Sequence, residues 1–263
     1  MRLKLYQVDA FTNQLFKGNP AAVCPLENWL DESLMQRIAM ENNLAETAFF
    51  VRRPDSIYDI RWFTPTVEVD LCGHATLASA FVLFSQEGYE HDLIHFFSPR
   101  SGDLIVSKQD DFLSMNFPAD IYSPVGDPEQ FSEAIGLVPK EVYKGKTDYM
   151  LVFEHEEQIR NAIPNLTWIA QLKARGLIIT AKGKKVDFVS RFFGPQAGVH
   201  EDPVTGSAHT TLTPYWANQL KKEELTAMQL SARSGFLRCK HLDDRVEIQG
   251  QACLYLVGNI QIG

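Results

Sequence analysis

Basic side chains are in short supply: 25 Lys and Arg face 33 Asp and Glu, a formal net charge of −8. Binding phosphate backbones or anionic lipid needs clustered positive charge, so nucleic acid and membrane are both excluded as partners. The one basic cluster, Lys182, Lys184 and Lys185 around Gly183, is small and reads as a solvated turn. Cysteine is scarce too. Cys24, Cys72, Cys239 and Cys253 lie far apart, without the close pair that zinc or dithiol chemistry uses. The most apolar run, Ala75 to Phe84, falls well short of the roughly 20 residues of a membrane helix. The opening MRLKLYQVDAF alternates apolar and polar residues, which predicts a strand and not a leader segment. The expected setting is therefore cytoplasmic, with reduced thiols. The sequence also lacks dinucleotide and phosphate-loop glycine patterns, H-E-x-x-H and the G-x-S-x-G elbow. His91 and His95 sit four apart in a strand-like stretch with no third ligand evident, so no metal is assigned.

What is present is a repeat. RWFTP (Arg61 to Pro65) returns as RFFGP (Arg191 to Pro195), an offset of 191 − 61 = 130 residues. The same offset aligns TAFFV (Thr47 to Val51) with LIITA (Leu177 to Ala181). After a three-residue insertion, Cys72-Gly73-His74-Ala75 falls on Thr205-Gly206-Ser207-Ala208. Three echoes in one order indicate a duplicated unit. Each copy predicts short strands around one apolar helix, from Gly73 to Phe84 and from Gly206 to about Leu220. Pro214 falls inside the second helix and predicts a kink or an interruption there. The expected fold is α+β: two pseudo-symmetric lobes, each a mostly antiparallel sheet wrapped around a central apolar helix. The lobes are residues 1–118 and 119–263, with a return of the last strand to the first lobe left open.

Helix starts at Gly73 and Gly206 would present free N–H groups and partial positive charge to an anion. Either glycine alone is more simply a tight strand-to-helix turn; the pair, with polar His74 and Ser207 at matched positions, points to an anion-binding cleft. Glu201 and Asp202 precede the second helix start, where helix capping is the plain reading of at least one of them. Glu46 enters an apolar strand, and its partner at the 130 offset is Gly176. That is either a surface carboxylate at a strand end or one off-centre acid/base group on a symmetric scaffold.

In order along the chain, YQVDAFT, FKGNPAAV, NLAETAFF, RWFTPTVEVDLCGHATLASA and EDPVTGSAHTTLTPYW resemble the phenazine-biosynthesis PhzF-like family. The resemblance implies a diaminopimelate-epimerase-like fold with its site between two lobes. It also implies an isomerase without metal or other cofactor; the best-known member isomerises a cyclic hydroxy-diene amino acid, with a glutamate moving the proton. Carried over by motif, that glutamate is Glu46, supported by His74, Asp202 and Ser207. Asn19, Gly73 and Gly206 would seat a small anionic, carboxylate-bearing substrate of a biosynthetic process. A homodimer is the assembly that the family's habit suggests. Epimerases of this fold oppose two thiols; here Cys72 faces Thr205 in the alignment, and a threonine does not serve as the second acid/base. The competing expectation is a catalytically silent small-molecule binder or regulator on the same fold. Retention of Glu46, His74, Asp202 and Ser207 together favours the enzyme.

Overall fold

The alternation in RLKLYQVDA builds β1 (Arg2–Ala10), in a computed structural model that describes residues 1–262. By contact the chain divides into two units: Met1–Asn116 with the segment from Gln249 onward, and Phe117–Ile248. The sequence places the boundary at 118/119; in the structure the C-terminal strand Ala252–Gln261 pairs antiparallel with β1, within the first unit.

The first unit continues with β2 (Asn19–Leu26), α1 (Glu32–Asn42), β3 (Glu46–Arg52), β4 (Tyr58–Phe63), the short β5 (Glu68–Val69), α2 (Gly73–Ser85), β6 (Leu93–Ser98), β7 (Gly102–Gln109) and β8 (Phe112–Pro118). Most pairings are antiparallel, but β2–β3 and β4–β6 are parallel. Asp31 starts α1 through its backbone carbonyl, which accepts from the N–H groups of Leu34 and Met35, and its carboxylate makes no cap bond. Asn43 ends the helix in the left-handed region at φ 49°, as Asn tolerates. The inner face of α1 (Met35, Ile38, Ala39) packs with Cys24, Phe49 and Phe63. Helix α2 is buried on nearly every side, from His74 through Ala80 and again at Val82 and Leu83. It lies against β1, β2, β3 and the C-terminal strand. An apolar helix covered all round is the core of its unit, and truncating the fully buried Leu77 to Ala is expected to cost about 2–5 kcal/mol.

The second unit holds β9 (Ser123–Pro124), a 3₁₀ segment (Pro128–Ala134), β10 (Glu141–Lys144), β11 (Asp148–Val152), α3 (Glu156–Arg160), α4 (Leu166–Ile169), β12 (Gly176–Lys182), β13 (Phe188–Gly194), β14 (Val199–Asp202), α5 (His209–Leu220), β15 (Glu224–Gln229), β16 (Gly235–Leu242) and β17 (Arg245–Gly250). Its parallel pairs, β11–β12 and β13–β15, answer those of the first unit. Asp127 caps the 3₁₀ segment by accepting the Glu129 N–H, with Pro128 at the first position. Against the expectation of a helix starting at Gly206, α5 starts at His209. The stretch before it turns more tightly, with His209, Thr210 and Thr211 N–H groups bonding to the carbonyls of Gly206, Ser207 and Ala208. Pro214 stays inside α5 without ending it. A proline cannot donate to the carbonyl four residues back; that carbonyl, of Thr210, accepts the Asp120 N–H at 3.1 Å instead. Among the described residues, no helix is long and apolar enough to cross a membrane.

Candidate functional site

In the first unit four side chains meet at the start of α2. Gly18, at φ +64°, turns the chain into β2, and the Ala10 carbonyl fills the space a Cβ would need there. This delivers Asn19, fully buried, beside His74. Cys72 stands at the N-cap of α2, followed by Gly73 and His74 in the first turn. Glu46 opens β3, opposite Ala21 of the parallel β2. Asn19 Nδ2 lies 3.2 Å from His74 Nδ1, Cys72 Sγ lies 3.4 Å from the same nitrogen, and Glu46 Oε2 lies 3.1 Å from His74 Nε2. The last pair is close but lacks hydrogen-bond alignment, and both atoms are buried. The Glu46 side chain is 17% exposed against 6% for His74, so the carboxylate is the group that water reaches.

Burial pushes the Cys72 thiol up to about 11, helped by the nearby Glu46 charge, so at neutral pH it stays a thiol. For His74, burial disfavours the charged ring, but Cys72 and Glu46 outweigh it and hold the imidazole well above its usual range. Glu46, Cys72 and His74 also offer oxygen, sulfur and nitrogen atoms that all lie within 4.8 Å of one another, a donor set of the kind that can hold a metal ion.

Asp202, Gly206 and Ser207 belong to the second unit. The Thr205 hydroxyl donates to Asp202 Oδ2 at 2.6 Å, so the residue matched to Cys72 is occupied as a hydrogen-bond donor. Gln229, fully buried, ties this loop down: its amide accepts from Thr205 N and donates to the Asp202 carbonyl. Ser207 Oγ accepts from Arg175 Nη1 at 2.8 Å. Arg175 is itself forked onto the buried Asp148 and stacked 5.2 Å from the Phe192 ring centroid. Glu201 does not cap the helix. It forms a two-pronged ion pair with Arg191, as Glu68 does with Arg61 in the first unit. The two pairs are a repeat of structure that the sequence echoes did not reveal.

The structure thus gathers Asn19, Glu46 and His74 around the α2 start at Gly73, and groups Asp202, Gly206 and Ser207 within the second unit. Sequence reasoning missed Arg175 and Asp148. The available signal was position: Arg175 immediately precedes Gly176, the repeat partner of Glu46.

Comparison with known proteins gives this geometry a family. Residues 8–258 match the model of the phenazine biosynthesis-like proteins. An uncharacterized isomerase of Pseudomonas aeruginosa is 49% identical over 262 residues, with all of both chains covered. The crystal structure of a PhzF-family phenazine biosynthesis protein from Enterococcus faecalis superposes with a TM-score of 0.96 at 44% identity, over all of both chains. A hydroxyproline epimerase from Agrobacterium vitis, at 6% identity, TM-score 0.64 and coverage of 98% of this chain and 92% of its own, shares the fold alone. The two-lobed α+β fold is therefore that of the racemases and epimerases, and the chain belongs to the phenazine biosynthesis-like, or PhzF, family.

Proposed function

We propose that this chain is a cofactor-independent isomerase that moves a proton within a small carboxylate-bearing substrate, with Glu46 as the acid/base group. Membership of a family whose relatives are named isomerases supports the reaction class. The observation that carries the assignment is the state of Glu46: one oxygen is buried 3.1 Å from the His74 ring, without an aligned hydrogen bond. No aligned donor holds that oxygen, so the carboxylate is left to act as the acid/base group, with its more exposed side toward a substrate. It removes a proton next to an activating group and returns it to another carbon of the same molecule. His74 orients the carboxylate, and Asn19 fixes the ring from its other nitrogen.

Ser207 and Asp202 enter this reading through their family motif. Because Ser207 Oγ already accepts from Arg175, its own O–H proton is left to donate, which suits it to a substrate oxygen that gains charge as the proton leaves. The backbone N–H groups at the α2 start, from Gly73, would seat the anionic end of the substrate. The test is a survey of small unsaturated carboxylates incubated with the enzyme in D₂O and read by NMR. Deuterium entry or a shifted double bond that depends on Glu46 supports the reading. Carboxylates that bind without exchange or isomerisation would favour a silent binder.

A further inference from the structure

We infer that Glu46, Cys72 and His74 form a capture site for a thiophilic divalent cation such as Zn²⁺, which would act as an inhibitor and not as a cofactor. Three donors of different type come together: a thiol sulfur, an imidazole nitrogen and a carboxylate oxygen, all within 4.8 Å. In a tetrahedral zinc site, with Zn–S near 2.3 Å and Zn–N near 2.0–2.1 Å, sulfur and nitrogen stand about 3.6 Å apart. Cys72 Sγ and His74 Nδ1 are already 3.4 Å apart. Glu46, the most exposed of the three, completes the set by swinging inward.

Charge argues the same way. A thiolate and a carboxylate cancel the charge of a divalent ion, which a buried site otherwise tolerates poorly. The Cys72 proton, and the Nδ1 proton that His74 carries in its charged form, are released to solvent when sulfur and nitrogen take the metal. The buried Glu46 oxygen, which has no aligned hydrogen bond, gains a partner in the ion. Asn19 Nδ2, now 3.2 Å from His74 Nδ1, gives up that contact. One sulfur among nitrogen and oxygen donors selects zinc or cobalt over magnesium or calcium. Three protein ligands leave a fourth position for water.

Binding itself needs no assumption about the reaction. Only the inhibition rests on Glu46 as the acid/base group, because the ion would consume its lone pair. The test is titration of the reduced, metal-free protein with CoCl₂, read by the near-ultraviolet thiolate-to-Co(II) charge-transfer band. One equivalent per chain is expected, displaced by Zn²⁺. The band should vanish in Cys72→Ser, persist in Cys253→Ser, and require at least tenfold more Co²⁺ in Glu46→Gln. A band absent from the wild type, or one surviving Cys72→Ser, overturns the site. If Cys72→Ser does not fold, X-ray absorption of the zinc-loaded wild type decides. One sulfur with nitrogen and oxygen neighbours supports the site, and a shell without sulfur contradicts it. Loss of activity on adding Zn²⁺ is scored separately, so tight binding without inhibition sinks only the assignment of Glu46.

Discussion

Arg175 Nη1 stands 2.8 Å from Ser207 Oγ, and the buried carboxylate of Asp148 holds the guanidinium there by a two-pronged pairing. Asp148 opens β11 opposite Gly176, the first residue of the parallel β12. The strand register therefore brings Arg175 alongside Asp148.

Removing the guanidinium strands a carboxylate that is only 2% exposed. Arg175→Ala is expected to lose about 2–3 kcal/mol in urea unfolding, less than a fully buried pair because the arginine is itself 38% exposed. The double variant Arg175→Met with Asp148→Asn should recover most of that stability without recovering turnover, since Ser207 has lost its donor. A loss below about 0.5 kcal/mol in Arg175→Ala would show that the pairing does not hold the loop.

His209 gives a pH signature. Its Nδ1 donates to the Thr205 carbonyl at 2.8 Å, and burial holds the ring down at about 4. The unfolded chain binds the proton near pH 6.5, so the stabilisation is complete above that value and fades as pH falls toward 4. The total is on the order of 3 kcal/mol. His209→Asn, which can keep the bond to Thr205, should flatten the stability curve between pH 6.5 and 4. Parallel curves for variant and wild type would contradict the assignment.

Much of the framework was legible because it is local and repeated. TAFFV and LIITA fall in β3 and β12, whose bounds differ by the 130 read from the sequence, as do the starts of β4 and β13. The ion pairs Arg61–Glu68 and Arg191–Glu201 were not legible, since each joins residues whose meeting depends on how the chain reverses between them. The Gly206 helix start was misplaced by three residues, because the same small residues that begin a helix also sustain a tight turn. Gly176 shows the same limit. The Phe193 carbonyl, 2.8 Å from where a Cβ would stand, and the Phe192 ring fill that space. An alanine there would disturb the fold.

Cys72 is assigned no step in turnover. Its hydroxyl analogue should serve as well at the α2 N-cap, so Cys72→Ser is expected to keep turnover within a few-fold of wild type, checked under reducing conditions. A loss of several orders of magnitude with folding intact would return the thiol to the chemistry and revive a two-base epimerase mechanism.

Chelation separates a cofactor from an inhibitor. Dialysis against a strong chelator is expected to leave turnover unchanged, or to raise it if captured zinc is removed. Activity lost on chelation and restored by a stoichiometric metal would contradict cofactor-independent catalysis.

The central claim is tested most directly by Glu46→Gln, assayed in D₂O on a carboxylate that the wild type labels. The amide keeps the shape of the side chain and removes its basicity. General acid–base catalysis is commonly worth about 10²–10⁴-fold, so deuterium entry and product formation should fall together by at least that much. Substrate binding should persist, since backbone N–H groups and not the carboxylate are assigned to the anionic end. A Glu46→Gln variant that exchanges and isomerises at a near wild-type rate would contradict the account.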